Sequence, residues 1–558
     1  MAHLRPLTEL PTHSVQNQPP AFEDVNWWTS DIALREATER EGGAFAADDL
    51  SKFGERVGSA EVIHWGFEAN RNKPELVPFD RFGQRVDEVR YHPSYHKLMR
   101  LGIESGIHSV AWTAKQGGHV AHAAYGFMMN QAEPGVGCPM TMTYAVVPAL
   151  RHNPKLAAEW VPKLTAHNYD PRFVPGAEKV GATMGMAMTE KQGGSDVRAN
   201  TTVAHPIDGA DGEYELVGHK WFCSAPMSDA FLTLAQAPGG LSCFFVPRWR
   251  PDRTRNPFYI QRLKDKLGDR ANASSEVEYS GTWAQLVGEE GRGVRTIIEM
   301  VHHTRLDCSV APAAMMRQSV ANACWHVSHR SAFGKTLIDQ PLMRAVLADL
   351  AVESEAATAL ALRVARSFDE SGRDDAVGEQ ARLFSRLATP IAKYWLNKRL
   401  PELVYEAMEC HGGAGYIEEG VMARVFRQSP LNSIWEGSGN VICLDVLRAM
   451  GREPACVEAL FGELKAATGQ DRRYDAFVGK LADRFAKPIG QSVDQGDARV
   501  LVERLGLALQ GSLLVRHGPG SVADAFCAGR LAGEGACYGT LPAGVDLDGL
   551  IERARPQV

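Results

Sequence analysis

At 558 residues, with 44% hydrophobic and 23% charged side chains, the chain is composed like a globular protein and is too long for one core. Three or four domains are expected. The formal charge of −7 excludes a globally basic nucleic-acid binder, though not a local basic patch. No apolar run reaches membrane-spanning length, and Met1 to Pro20 lacks the apolar centre of a secretory signal, so a cytoplasmic protein is expected.

Residues 1–28 read as a Pro-rich arm with Trp27-Trp28 anchoring its end. From Asp31 to about Asn168 apolar residues recur at helical spacing, as in His119-Val120-Ala123-Phe127-Met128. Near Gly181 the texture changes to short β-rich runs, around Val203, Tyr214–Val217, Ala230–Leu234, Cys243–Val246 and Glu276–Tyr279. Their close spacing predicts an antiparallel barrel or sandwich, with a hairpin tip at 205–212. Helices return after Gly291, the longest being predicted over Arg344–Phe368 and from about Val377 to Cys410, and a further helix over Asn440–Met450. The expected division is 1–180, 181–290, 291–450 and a mostly helical extension, 451–558.

The ten cysteines form no CxxC pair and read as reduced core thiols. His302-His303 has no spaced set of Cys, His or carboxylate partners, so no metal site is expected.

Four segments carry chemistry. Thr189-Glu190-Lys191-Gln192-Gly193-Gly194-Ser195-Asp196-Val197 is a hydroxyl-flanked glycine loop suited to wrapping a polar ligand, although by itself such a loop is more often a plain turn. Gly218-His219-Lys220-Trp221-Phe222-Cys223-Ser224 puts tandem aromatics before a hydroxyl, as needed to stack on a flat cofactor or to fill a barrel core. Arg330-Ser331-Ala332-Phe333-Gly334 places a guanidinium where it can fork onto a diphosphate. Asn432-Ser433-Ile434-Trp435-Glu436-Gly437-Ser438-Gly439-Asn440 holds one carboxylate between an aromatic ring and a glycine turn, where partial desolvation makes it a better proton acceptor. No GxGxxG follows a strand, so a Rossmann domain is not expected.

In order and spacing these segments, with Gly412-Gly413-Ala414-Gly415-Tyr416, resemble the acyl-CoA dehydrogenase family. Thr12–Pro20, Met188–Val197, Arg262–Gly268 and Asn432–Leu447 are most similar to its AidB branch, flavoproteins of the adaptive response to DNA alkylation. The resemblance implies an α+β acyl-CoA dehydrogenase fold: an N-terminal helical domain, a middle β domain and a helical bundle, with an extra C-terminal helical domain. It implies FAD, with Met188, Thr189, Gly194, Ser195, Phe222, Cys223 and Ser224 around the flavin and diphosphate. Arg330 and Phe333 would reach FAD across a dimer interface, in a homotetramer built from dimers. Trp435, Gly437, Ser438 and Asn440 would line the catalytic side, and Glu436 would be the base removing the α-proton of an isovaleryl-CoA-like thioester. The sequence departs from the family pattern: His302 stands where an Asp contacting CoA is usual, Thr304 where some isovaleryl-type members place their catalytic Glu, Pro341 where a Gln is usual with Gln340 one place early, Glu409 replaces a Gln, and Trp435 replaces a Tyr, so weak acyl-CoA dehydrogenation is expected.

The branch also implies sequence-independent binding of double-stranded DNA. Bulk charge gives no support, since residues 451–558 hold 13 Lys and Arg against 14 Asp and Glu. On one helix over 471–487, however, Arg473, Lys480, Arg484 and Lys487 would share a stripe that can track phosphates, or form a solvated face. Arg448 matches an arginine tied to DNA in the branch; an ion pair is its other reading. An ordinary short- or branched-chain acyl-CoA dehydrogenase without a DNA role remains the alternative.

Overall fold

The arm at the N-terminus is anchored as its sequence predicts. Trp27 and Trp28 are buried against the first helices, in a computed structural model that describes residues 6–485, 494–533 and 535–557. Helices dominate the first third, but not throughout. Strands β1 (Glu75–Phe79) and β2 (Arg85–Arg90) form an antiparallel hairpin inside the stretch expected to be helical. The inward face of β2 explains the miss: its buried residues are Asp87 and Val89, and an inward aspartate is invisible to hydrophobic periodicity. Asp87 accepts hydrogen bonds from Arg85 and from the Ile260 main chain, which tie the hairpin to the β domain.

That domain contains β3 (Met184–Ala187), β4 (Val203–Pro206), β5 (Glu213–Ser224), β6 (Ala230–Ala237), β7 (Gly240–Pro247), β8 (Phe258–Leu263) and β9 (Ser274–Val287). Pairings β6–β4–β5–β9–β7–β6 close a ring, so the structure is a barrel, with β3 and β8 added outside it. It is not wholly antiparallel: β3 runs parallel to β6, and β4 meets β6 in parallel at Val203 and Gln236. Phe231, Phe244, Phe258 and Tyr279 fill it.

Two helices of the first third, α1 (Gly118–Ala132) and α2 (Gly137–Leu150), pack on the 37-residue α3 (Gly293–His329). Helices α4 (Pro341–Ser371) and α5 (Ala376–Glu409) complete the bundle around one continuous apolar core. Beyond α6 (Gly439–Arg452) the C-terminal extension adds α7 (Ala455–Lys465), α8 (Arg472–Asp483) and α9 (Ala498–His517). Helix α9 is apolar on nearly every face because it is wedged against α4 and α5. A buried ionic cluster fastens the extension: Glu353 on α4 pairs with Arg399 and Arg530, and Asp349 accepts from Arg530 and from the Gly539 main chain. No helix among the described residues is long and apolar enough to cross a membrane, and these residues contain no cluster able to hold a metal ion.

Candidate active site

The turn between the short helix at Leu431–Ser433 and α6 holds Glu436 half-buried between α3 and α5. Glu436 and Gly437 have φ of 57° and 105°, a left-handed pair that a glutamate adopts only under constraint. The constraint is visible in the polar contacts. Lys393 of α5 donates to the carbonyls of Trp435, at 2.7 Å, and Gly437. Arg305 of α3 donates to the carbonyl of Glu436 at 3.0 Å. Asp445 braces that guanidinium at 2.9 Å and is itself held by Arg386 at 3.1 Å. Thr304 donates its hydroxyl to the Glu436 carboxylate at 2.8 Å, and the Trp435 indole donates to Asn432 at 2.6 Å.

Burial raises the pKa of Glu436 above its ordinary 4.5, against the Thr304 hydrogen bond and the charges of Arg305 and Lys393. A raised pKa strengthens a carboxylate as a base while moving the onset of its ionised form to higher pH. For any reaction using this base, kcat/KM therefore rises with pH along an acid limb centred above pH 4.5, and stopped-flow rates across pH 4.5–8 measure it. A limb centred at or below 4.5 contradicts the desolvated site. Burial also lowers the Lys393 ammonium to about 8. His302 stacks on Phe368 with centroids 4.6 Å apart, and burial, with Arg305 and Arg386 nearby, lowers its pKa to about 3, so it is neutral where an aspartate was usual.

Helices α1 and α2 each carry a glycine with room around it: a side chain at Gly126 would meet nothing within 4 Å, and one at Gly137 would meet only Asn130. Helix α2 is tied to the barrel, since Thr143 accepts from the Met184 main chain of β3 at 3.1 Å. The loop after β3 is shaped by Glu190, whose two oxygens accept from Lys220, the side chains and main-chain N–H groups of Thr201 and Thr202, and Gln192. This leaves Met188, Thr189 and Gly194 half-buried and Ser195 exposed at the rim. Gly194 lies directly on Thr189, where a Cβ would come within 2.2 Å of the hydroxyl oxygen. On β5, Phe222 is 50% exposed and Ser224 half-buried, whereas the Cys223 thiol lies fully inside the barrel core. A register shift between Lys220 and Cys223 turns both inward and Phe222 outward.

Arg330 and Phe333 are not brought to this site. They follow the far end of α3, and the 25 steps from Thr304 to His329 span about 38 Å of helix. Phe333 is 98% exposed, with φ of 51°, at the tip of a two-residue hairpin. The arm braces this turn: Asn17 donates to Ser331 O at 2.9 Å and accepts from Ser331 N at 2.7 Å, while Arg330 donates to Asn17 O. Gln340 supports the same hairpin through Ala332 O. Ser438 and Asn440 stand at the start of α6 beside the Glu436 turn.

Among the residues considered for DNA, Arg448 is 57% exposed, with Asp445 3.9 Å away. Lys480 is exposed on α8, and Arg484 caps that helix, which stops at Asp483. Arg473 is held by Asp471 and by Asp524 at 2.9 Å. Lys487 lies outside the described residues.

Asp445, Arg386 and the pairing of Glu190 with Lys220 carry no signal that singles them out in the sequence. Lys393 does leave a trace, as a lone cation in the apolar run Pro390-Ile391-Ala392-Lys393-Tyr394-Trp395-Leu396.

Three family models match in chain order: the adaptive response protein AidB N-terminal domain over residues 17–171, the acyl-CoA dehydrogenase middle domain over 185–282, and the acyl-CoA dehydrogenase C-terminal domain over 291–451. The chain is 44% identical to AidB of Escherichia coli (strain K12) over 92% of its own length and 94% of that protein. The structure is similar to that of ACDH-11 of Caenorhabditis elegans in complex with C11-CoA, with a TM-score of 0.82, 29% identity, and coverage of 94% and 92% of the two chains. It also shares the fold of an acyl-CoA dehydrogenase from Bacillus anthracis complexed with FAD, at a TM-score of 0.64 and 17% identity, covering 78% and 80%. On fold, domain matches and identity across nearly the whole of both sequences, this chain belongs to the acyl-CoA dehydrogenase family, in its AidB branch.

Proposed function

We propose that the protein is an FAD-dependent acyl-CoA dehydrogenase in which Glu436 removes the α-proton of a short, branched acyl thioester. The observation that carries this reading is a desolvated carboxylate on a turn clamped by Lys393 and Arg305. The residues present fit a flavin. An outward aromatic face at Phe222, the hydroxyls of Thr189, Ser195 and Ser224, and the glycine loop at Gly193-Gly194 offer stacking and hydrogen bonding. FAD, when bound, supplies hydride acceptance from the β-carbon. The chain's own residues do the rest: Thr304 orients the carboxylate, Arg305 and Lys393 hold its turn, and Trp435, bulkier than the family's Tyr, would narrow the space for the acyl group. Arg330 and Phe333, too far along α3 to serve the same cleft, would complete the site of a second copy, within a homotetramer built from dimers. In the test, purified holoprotein is titrated anaerobically with a panel of acyl-CoAs. The flavin bleaches with a short branched member, and if no member of a broad panel reduces it, the dehydrogenase reading fails.

A second activity, sequence-independent binding of duplex DNA in the response to alkylation, is favoured by the exposure of Arg448 and Lys480, neither of which has an ion pair closer than 3.9 Å among the described residues, with the half-buried Arg484 beside Lys480. Each phosphate that a variant no longer neutralises reduces the salt slope of log K by about 0.9. Arg448→Ala is expected to weaken duplex binding several-fold with such a change in slope, and the Lys480/Arg484 double alanine variant to change the slope about twice as much. Arg473→Ala, already neutralised by two aspartates, changes it little. Fluorescence anisotropy over a salt series reads this, and affinities insensitive to the first two variants rule this face out.

A further inference from the structure

Lys393 is 1% exposed, and its ammonium donates to two main-chain carbonyls, those of Trp435 and Gly437. A buried ammonium satisfied by neutral carbonyls is an expensive arrangement, since most buried charges are retained with a hydrogen-bonded countercharge. The nearest side of α3 adds a second cation, Arg305, which takes the carbonyl lying between those two. Three consecutive carbonyls, those of residues 435, 436 and 437, are thus drawn to one side of the turn.

This has a direct consequence for the opposite side. The described chain contains no cis peptide bond, and in a trans peptide the N–H points opposite to the C=O. The N–H groups of Glu436, Gly437 and Ser438 therefore face away from the two cations. No main-chain acceptor among the described residues takes any of the three. Just beyond them begins the 14-residue α6, whose own first N–H groups add a partial positive charge. Successive unsatisfied N–H groups at left-handed residues form a nest that receives an oxygen bearing negative charge.

We infer that Lys393, with Arg305, is a positioning residue: by gripping the carbonyls on both sides of Glu436 it turns three main-chain N–H groups toward the cleft as the donor set for the thioester carbonyl oxygen. The inference rests on the acyl-CoA reading above. The α-proton passes to the Glu436 carboxylate, its C–H electron pair delocalises onto the thioester oxygen, and the N–H groups stabilise that charge as it forms. The ammonium donates only to main-chain carbonyls among the described residues, so Lys393 acts through the backbone.

The test compares holoprotein carrying Lys393→Met, which keeps the buried aliphatic stem without the donors, with Lys393→Arg, which keeps donors and charge. Removing one such donor typically lowers kcat by 10²–10³-fold, so for Lys393→Met the rate of flavin reduction by a saturating acyl-CoA is expected to fall about 100-fold, with KM changed less than about threefold and FAD content intact. Lys393→Arg should recover at least about tenfold of that loss. Crystal structures of both variants provide a readout independent of turnover: in Lys393→Met, Glu436 leaves the left-handed region and its N–H rotates from the cleft, whereas in Lys393→Arg the turn is kept. A Lys393→Met protein that keeps the turn, or that reduces flavin within threefold of the parent rate, overturns the assignment. If the parent protein reduces with no acyl-CoA, the substrate reading falls by itself, and the two crystal structures still decide whether Lys393 sets the turn.

Discussion

Glu436→Gln is expected to retain FAD yet lose anaerobic bleaching by acyl-CoA by at least about 10³-fold, in the upper range of what a positioned general base contributes. The substitution suits the site. The amide keeps an oxygen to accept the Thr304 hydroxyl, its volume is unchanged, and the gripped carbonyls of residues 435–437 do not involve the side chain. Removing a desolvated negative charge from between Arg305 and Lys393 does leave their field uncompensated, but Arg305 keeps Asp445 as its countercharge. The turn should therefore survive, and the loss should report chemistry rather than folding. Two measurements separate these. Flavin absorbance after gel filtration stays at the parental ratio, and acyl-CoA affinity measured by spectral perturbation stays within about threefold. The acid limb predicted for kcat/KM disappears with the base. Residual bleaching within tenfold of the parent protein would falsify the role of Glu436 and send the search for a base elsewhere. Thr304, at the position where some relatives place theirs, has no ionisable group to offer.

Glu436 was legible because its chemistry is written locally: an aromatic residue, a carboxylate and a glycine turn are adjacent in the chain. The barrel strands were legible for a similar reason, since runs such as Cys243–Val246 alternate between turns. What escaped lies in contacts between distant segments or in inverted polarity. Lys393 sits 43 residues before Glu436, on a different element, and nothing in its helix shows that two carbonyls will come to meet it. Asp87 faces inward from a strand, so the first hairpin lacked its hydrophobic signature. The Cys223 thiol points into the barrel core because an irregularity in β5 breaks the alternation that would have paired it with Trp221. The stripe on 471–487 assumed one uninterrupted helix with solvent on its basic side. Helix α8 ends at Asp483, and Asp524, 51 residues downstream of Arg473, neutralises one end of the stripe. Spacing within a segment carries well from sequence; the partner that folds onto it does not.

The Glu190–Lys220 pair should give the largest effect on stability. Both side chains are fully buried, 2.8 Å apart, and the ammonium also donates to Leu234 O. Breaking a buried pair by removing one partner costs about 3–5 kcal/mol, because the remaining charge stays buried without its countercharge. Glu190→Ala strands Lys220 and also leaves the N–H groups and hydroxyls of Thr201 and Thr202 without their acceptor. It is expected to lower the unfolding free energy by that amount and to reduce FAD content, since the same carboxylate shapes the loop bearing Thr189 and Ser195. Lys220→Met should cost less than Glu190→Ala, because the carboxylate keeps its four bonds from Thr201 and Thr202. The double variant Glu190→Met/Lys220→Met should cost clearly less than the sum of the single changes, as expected for two residues that owe their penalty to each other. The pair also sets an acid limit. Burial alone would raise the pKa of Glu190, but the Lys220 charge and the bonds from Lys220, Thr202 and Thr201 outweigh it and hold the carboxyl well below its ordinary 4.5. A depressed pKa in the folded state means that the unfolded chain binds this proton more readily. The stabilisation is complete above pH 4.5 and is lost as pH falls below that value, so the parent protein loses stability on acidification while Glu190→Ala, already without the contribution, shows a flatter profile. Denaturation midpoints from pH 7 down to pH 4 measure the difference, and parallel profiles would mean that the pair does not anchor the loop.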